Sequence, residues 1–374
     1  MLCSGDAGTL SAKNTYWGKH MGECLKSCVE ELYSEELDAL RACCQGVRPD
    51  GWMLTPAAVR DFILGRAQPL VYQGKRVRVS TKFFGNDELV SNCISTLASG
   101  RNVLLAGLPG TGKSWLSELL AAAVSNNSRN IIQGTAALKP SVLRYSWNCA
   151  VTAAVGYVPD ALIPAPLFRG MQEGIITRFE EISRTCQEVQ DTLLSILSRR
   201  HITIHEFAQP LCLRASGGFA VIATANTADP GTFPGQALQA LFDVYTVEPV
   251  RDTQVKLRMM ESEVINSSKD RMELTADRSM LDLVMSVYDD IRSGSAFNEL
   301  QGHQYPGFGA SDLSAVAAFA SVSSAAPALS PHQAVSCPVK NLVTEKSAEP
   351  DTHASDSGVP NDSRREDSLT DSKP

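Results

Sequence analysis

No apolar run in the 374 residues is long enough to cross a bilayer. The first residues, Met1-Leu-Cys-Ser-Gly-Asp-Ala-Gly8, lack the basic patch and apolar stretch of a secretory leader. Together these absences lead us to expect a cytoplasmic protein with no membrane partner. Basic charge is also short: 34 Lys and Arg stand against 41 Asp and Glu, for a net charge of -7. That balance counts against a general nucleic-acid binder, which is more often basic. The ten cysteines are scattered. Cys24 and Cys28 lie four apart and Cys43 and Cys44 are adjacent, and neither spacing is that of a zinc site. Free, reduced cysteines are expected. No internal repeat is present.

What remains is ordinary globular material, 43% apolar and 20% charged, enough for one large or two ordinary domains. Residues 1–29 read as a loose N-terminal segment. Helical spacing follows over Glu30–Cys44, Pro56–Leu64 (with Thr55 as N-cap and Pro at the first position) and Asp87–Leu97. Asn102-Val-Leu-Leu-Ala106 is a short apolar run of the buried parallel-strand type. Further strands are expected at 130–133, 174–181, 219–225 and 244–247, with helices over 114–124 and 187–199. His201–Ile204 and Leu211–Arg214 alternate like the arms of a hairpin. Strands alternating with helices predict a three-layer α/β domain with a parallel sheet over residues 30–250. Only helical patterns continue after Pro249, which predicts a small helical domain over 251–324. The tail at 325–374 is polar and without aromatic residues, a composition expected to be disordered.

The most specific chemistry lies between the first strand and its helix. Gly107, Leu108, Pro109, Gly110, Thr111, Gly112, Lys113 and Ser114 meet the pattern G-x-x-x-x-G-K-[ST] in full, with Trp115 next. Glycines let backbone N–H groups close around phosphate oxygens, and the helix N-terminus adds partial positive charge. Lys113 is placed to reach the β and γ phosphates and the Ser114 hydroxyl to coordinate magnesium, so ATP with Mg2+ is the expected ligand. Hydrolysis needs a second signal, acids at a strand end. Glu180 and Glu181 follow Ile175–Phe179, although Thr177 and Arg178 make that strand less apolar than usual. Glu180 is the candidate to hold magnesium, directly or through water, and Glu181 the candidate to deprotonate an attacking water. Asn226 ends another strand on the same sheet edge. It is a candidate to hold that water, or a loop residue capping the turn before Pro230.

This order of motifs resembles the AAA+ ATPases, P-loop NTPases with a parallel sheet and a helical lid. Gln133-Gly-Thr-Ala136, Arg144-Tyr-Ser-Trp-Asn148, Arg178-Phe-Glu-Glu-Ile-Ser-Arg184, Glu188–Ser198 and Ile222-Ala-Thr-Ala-Asn-Thr227 are similar to the MoxR-like branch, closest to bacterial members encoded beside von Willebrand factor A-domain proteins. Gly51–Pro56 and Asp61–Gly65 extend the likeness upstream. The resemblance implies a ring, generally a hexamer, with nucleotide between subunits. It also implies a chaperone-like role on a protein client, possible clients including a von Willebrand factor A-domain protein. By the same analogy, the 201–214 hairpin would precede the sensor strand, Val158–Gly170 would face a substrate or partner, and Phe84 and Gly85 would contact the adenine.

Two motifs depart from that pattern. Relatives carry arginines where this chain has Ala240 and Leu241, just before Phe242. In the lid motif Gly309-Ala-Ser-Asp-Leu313, Leu313 stands where a sensing arginine is frequent. Arg251, Arg258 and Arg292 are the candidates to take these roles. Three readings follow. The leading one is an ATPase that remodels a partner protein. The second is a nucleotide-binding regulatory or scaffold subunit of a homo- or hetero-oligomeric ring, with weak or no hydrolysis. A nucleic-acid motor is the third, and the acidic balance disfavours it.

Overall fold

The computed structural model describes residues 27–227, 234–250, 252, 254–256 and 258–259, and every structural statement below concerns these. Nearly all of the expected lid domain and the whole tail, with Arg251, Arg292 and Leu313, lie outside them, as does nearly all of the segment expected to be loose at the N-terminus.

The helix expected over Glu30–Cys44 is two helices, α1 (Val29–Leu32) and α2 (Ser34–Cys43). The break falls at Tyr33, which leaves helical geometry at φ -118° and ψ 27°. Its ring is buried edge-on against Phe62, centroids 6.0 Å apart. Tertiary packing of one aromatic ring overrides a periodicity that continues through it. Helix α3 (Pro56–Leu64) has the expected bounds, with Thr55 Oγ1 accepting from Ala58 N at 3.2 Å. A hairpin that the sequence pattern did not reveal follows, β1 (Leu70–Tyr72) and β2 (Lys75–Val77). Gln73 and Gly74 turn it with φ of 49° and 77°, the doubly positive geometry that suits a two-residue hairpin. Three-residue strands are too short to show alternation. Helix α4 (Asp87–Ala98) starts at Asn86, whose Oδ1 accepts from Leu89 N at 2.8 Å.

Strand β3 (Asn102–Gly107) is buried along its whole length and feeds helix α5 (Lys113–Ser125). The chain then makes β4 (Ile131–Gln133) and an inserted unit whose helices and strands the sequence pattern did not reveal: β5 (Tyr145–Trp147), α6 (Cys149–Val155), β6 (Leu162–Pro164) and α7 (Pro166–Glu173). Strand β7 (Thr177–Glu180), helix α8 (Gln187–Arg199), the hairpin β8 (His201–Ile204) and β9 (Leu211–Arg214), and β10 (Val221–Asn226) follow. Helix α9 (Gln236–Gln239) and β11 (Phe242–Thr246) complete the domain.

Five strands form the main sheet in the order β11-β3-β10-β7-β4, and every pairing is parallel. Period-2 alternation divides its side chains between two cores. Val103, Leu105 and Ile222 join the core built with α2 to α5, whereas Leu104, Val221 and Ala223 join the one built with α7 and α8. This is the expected three-layer α/β architecture. Each fully buried aliphatic side chain contributes about 1.5–3 kcal/mol. No helix among the described residues is long and apolar enough to cross a membrane.

A buried charge ties the N-terminal helices to the segment before α4. Lys82 has a side chain 1% exposed, and its Nζ donates to Glu36 Oε2 at 2.5 Å. The same ammonium donates to the carbonyls of Phe62 and Ser80 and lies 4.5 Å and 4.3 Å from the Tyr33 and Phe62 ring centroids. The Lys82 carbonyl accepts from Trp115 Nε1 at 2.8 Å, which carries the connection into α5. Lys82→Met leaves Glu36 buried without its countercharge and is expected to cost about 3–5 kcal/mol, whereas Lys82→Met with Glu36→Leu recovers a large part of that. Denaturant unfolding measures both. A single variant within about 1 kcal/mol of the wild type would show that the pair does not hold the helices.

Candidate functional site

The parallel register brings the ends of three strands together. Gly107 at the end of β3 pairs with Asn226 at the end of β10, and Ala223 of β10 pairs with Phe179 of β7. Glu180 and Asn226 therefore sit on the sheet edge from which the loop 107–112 rises. Open α/β sheets bind ligands along this edge.

The loop has the backbone that its glycines predict. Gly110 and Gly112 have φ of 74° and 87°, where a side chain would be strained. A Cβ on Gly107 would come within 2.4 Å of the Val247 carbonyl oxygen. The Thr111 hydroxyl donates to the Leu108 carbonyl at 3.0 Å, closing the turn around exposed Leu108 and Pro109. Lys113 Nζ curls back over the loop, donating to the carbonyls of Gly107 (3.0 Å) and Leu108 (2.6 Å). Trp115 Nε1 donates to the Lys82 carbonyl. Buried Phe83 approaches the loop, its Cε2 3.6 Å from where a Cβ on Gly112 would lie. Phe84 is half-buried and Gly85 exposed, with Val250 Cγ2 3.0 Å from a Cβ placed there.

Glu180 is the centre of the site. Its Oε2 accepts from the hydroxyls of Ser114 (2.6 Å) and Thr224 (2.7 Å), and its Oε1 from the Ser117 hydroxyl (2.6 Å) and Arg178 Nη2 (2.9 Å). Burial pushes this carboxyl upward. The Arg178 guanidinium and the three hydroxyls outweigh burial and hold it below the usual glutamate range. It is therefore an anion at neutral pH, a few bonds from the phosphate loop. Ser114 and Glu180 offer oxygen donors of the kind magnesium takes, and the glycine cradle leaves room for phosphate, so the residues present fit a magnesium nucleotide.

Glu181 ends the strand in the left-handed region at φ 54°, and its N–H donates to Thr224 Oγ1 at 2.9 Å. Its side chain takes no part in the hydrogen bonds that hold Glu180. Its Oε2 meets Arg184 Nε at 3.0 Å, with both side chains substantially exposed. An exposed pair of this kind contributes about 0–1 kcal/mol and exchanges readily. Gly134, just beyond β4, lies against the two acids, and its N–H donates to the Glu180 carbonyl at 2.7 Å. Half-buried Asn226 donates its backbone N–H to Ser183 Oγ at 3.4 Å.

The structure thus brings together the loop, Lys113, Ser114, Glu180, Glu181 and Asn226. It adds Ser117, Thr224, Arg178 and Gly134, which sequence reasoning did not place in the site. Ser117 lies one helical turn after Ser114, and Arg178 interrupts an otherwise apolar strand, so both had a readable signal. Thr224 did not, because only the β10–β7 pairing sets it beside Glu180. Ala240 is exposed, and Leu241 packs on the core while its carbonyl accepts from Asn102 Nδ2 at 3.0 Å. Of the three candidate replacement arginines only Arg258 is among the described residues, and it is exposed.

The inserted unit is clasped to the β8–β9 turn. Glu206 accepts from the Tyr145 hydroxyl (2.9 Å) and Trp147 Nε1 (3.4 Å), and Phe207 meets Trp147 edge-on at 5.5 Å. Burial, and then the Glu206 acceptor, push the Tyr145 hydroxyl up to about 12. Of the segment 158–170, Ile163 is exposed while Leu167 and Phe168 are core.

A Cβ at Gly134 would fall 2.2 Å from the Glu181 carbonyl oxygen and 2.8 Å from that of Glu180, both backbone atoms. Gly134→Ala is therefore expected to displace the acidic turn and to cost about 1–3 kcal/mol in urea unfolding. A neutral substitution would mean that the turn yields freely.

Residues 102–242 match the family model described as AAA domain (dynein-related subfamily). The uncharacterized protein YehL of Escherichia coli (strain K12) is 42% identical over 233 residues, which are 62% of this chain and 62% of that protein. The chain thus spans less than two thirds of that relative's length. The uncharacterized protein YojN of Bacillus subtilis (strain 168) is 26% identical over 230 residues, 57% of this chain and 70% of that one. Among solved structures, NtrX from Brucella abortus in complex with ATP aligns with 65% of this chain and 50% of its own, at 11% identity and a TM-score of 0.44, too low to bear on function. Residues 102–242, which hold most of the five-stranded parallel sheet and the glycine loop at its edge, are thus similar to an AAA domain.

Proposed function

We propose that this chain binds ATP with magnesium at Gly107–Ser114 and hydrolyses it. The single observation that carries this reading is the 2.6 Å bond from the Ser114 hydroxyl to Glu180, which joins the phosphate loop to a buried anion on the next-but-one strand. Lys113 exchanges its loop carbonyls for the β and γ phosphate oxygens. Ser114 and Glu180 together hold the metal's side of the nucleotide. Magnesium, when bound, neutralises charge on the β and γ phosphates. Glu181 takes the proton of the attacking water once released from Arg184, and Asn226, at the neighbouring strand end, orients that water.

The finer reading is a MoxR-like member of the AAA+ class, working as a ring, a homo- or hetero-oligomer of six subunits, on a protein client in a chaperone-like role. A von Willebrand factor A-domain protein is the client class we would test first. The motif set quoted above supports this reading, and so does the inserted unit, which carries exposed Val155, Tyr157 and Ile163. One observation favours the alternative of a regulatory or scaffold subunit. Ala240 and Leu241 supply no cation at a position where an arginine would be worth about 10³–10⁵-fold in rate.

Lys113→Ala is expected to weaken ATP binding about tenfold or more, read by equilibrium titration. Glu181→Gln is expected to keep binding and lose about 10²–10⁴-fold in turnover, read by phosphate release. Wild-type turnover no faster than that of Glu181→Gln, with a client protein added, would leave only the scaffold reading.

A further inference from the structure

Arg178 has no part in the chemistry just described, yet its side chain makes four hydrogen bonds, as many as Glu180. It lies inside a fully buried strand and is 6% exposed. Its Nε donates to Ser117 Oγ at 3.0 Å and its Nη1 to the Ser128 carbonyl at 2.9 Å. Its Nη2 donates to the Ser114 carbonyl at 3.2 Å and to Glu180 Oε1 at 2.9 Å. Two of these acceptors are on the first turn and a half of α5, and one is the buried acid itself.

Stability alone does not account for this arrangement. A buried ion pair is frequently no more stable than apolar residues of the same volume, because desolvation offsets the attraction. The bonding points instead to charge and position. Each oxygen of Glu180 already accepts two hydrogen bonds, which fills the roughly four lone-pair sites of a carboxylate. So held, Glu180 meets a cation only through the Ser114 hydroxyl or a water. Its negative charge, which would repel phosphate, is balanced by Arg178.

We propose that Arg178 is a positioning residue whose fixed positive charge balances Glu180 and so limits how far nucleotide affinity depends on magnesium. This rests on the reading of Gly107–Ser114 as an ATP site. Without Arg178, an unbalanced carboxylate beneath α5 repels the phosphates of free ATP and attracts the metal of magnesium-ATP. At a separation on the order of 8 Å and an effective dielectric of about 20, one unbalanced charge changes affinity about thirtyfold for each unit of phosphate charge, before screening by solvent and salt reduces it.

The test is titration of the full chain with the fluorescent analogue mant-ATP at about pH 8, where a carboxylate stays ionised. Each protein is titrated in magnesium and in EDTA. The ratio of the Kd in EDTA to the Kd in magnesium is expected to rise about fivefold or more in Arg178→Met and to stay within about twofold of wild type in Arg178→Lys. An unchanged ratio in Arg178→Met overturns the proposal. Where Arg178→Met does not fold, Arg178→Met with Glu180→Gln is expected to fold, because no charge is left unbalanced. If the double variant also fails, Arg178 is a packing residue only and the proposal falls. Wild-type protein that binds mant-ATP in neither condition refutes the ATP site itself, a result distinct from binding with an unchanged ratio.

Discussion

The carboxylate of Glu180 gathers donors from three separate elements at once: Ser114 and Ser117 from α5, Thr224 from β10 and Arg178 from its own strand. A buried anion left short of donors would cost several kcal/mol, so α5, β7 and β10 are constrained to the arrangement that satisfies it. The glycine loop is fixed by the same constraint. Its first residue ends β3 and its last belongs to α5, so both of its ends are held by elements that this network or the sheet register positions.

The second buried charge, Lys82 with Glu36, extends this order outward. It ties α2, α3 and the segment before α4 into one unit, and the Trp115–Lys82 bond joins that unit to α5. The two ion pairs therefore sit on either side of the same helix. A displacement of the phosphate loop would be felt at both. The exposed Glu181–Arg184 pair is different in kind, since solvent screening leaves it weak enough to open. Rigid support below the loop and an exchangeable contact at the candidate base suit a site that must hold its ligand firmly and still release one side chain to act.

Much of this was legible beforehand, and for identifiable reasons. The limits of α3 and α8 follow from local signals, a Thr-Pro start in one and an apolar stripe in the other. Strand β3 shows as a continuous apolar run because both of its faces are covered. The hairpin β8–β9 shows because its alternation is regular. By contrast, α1 and α2 read as one helix, since nothing local marks Tyr33 as a break. The inserted hairpin β5–β6 was missed because its strands are three residues long and their stability comes from packing of Tyr145 and Trp147 against Glu206 and Phe207.

The loop Gly107–Ser114 and the acids Glu180 and Glu181 were determined by the sequence alone, because glycine conformational freedom, a lysine and a hydroxyl at fixed spacing carry their chemistry locally. Which partners surround those acids was decided only by tertiary structure. Thr224 is 44 residues from Glu180, and Ser117 is 63. Their approach depends on strand order and helix packing, which local spacing does not encode. The polar residues Thr177 and Arg178, which made their strand look less apolar than a buried strand should be, are the visible trace of that hidden network. Their burial makes sense only once the donors and acceptors from α5 are in place.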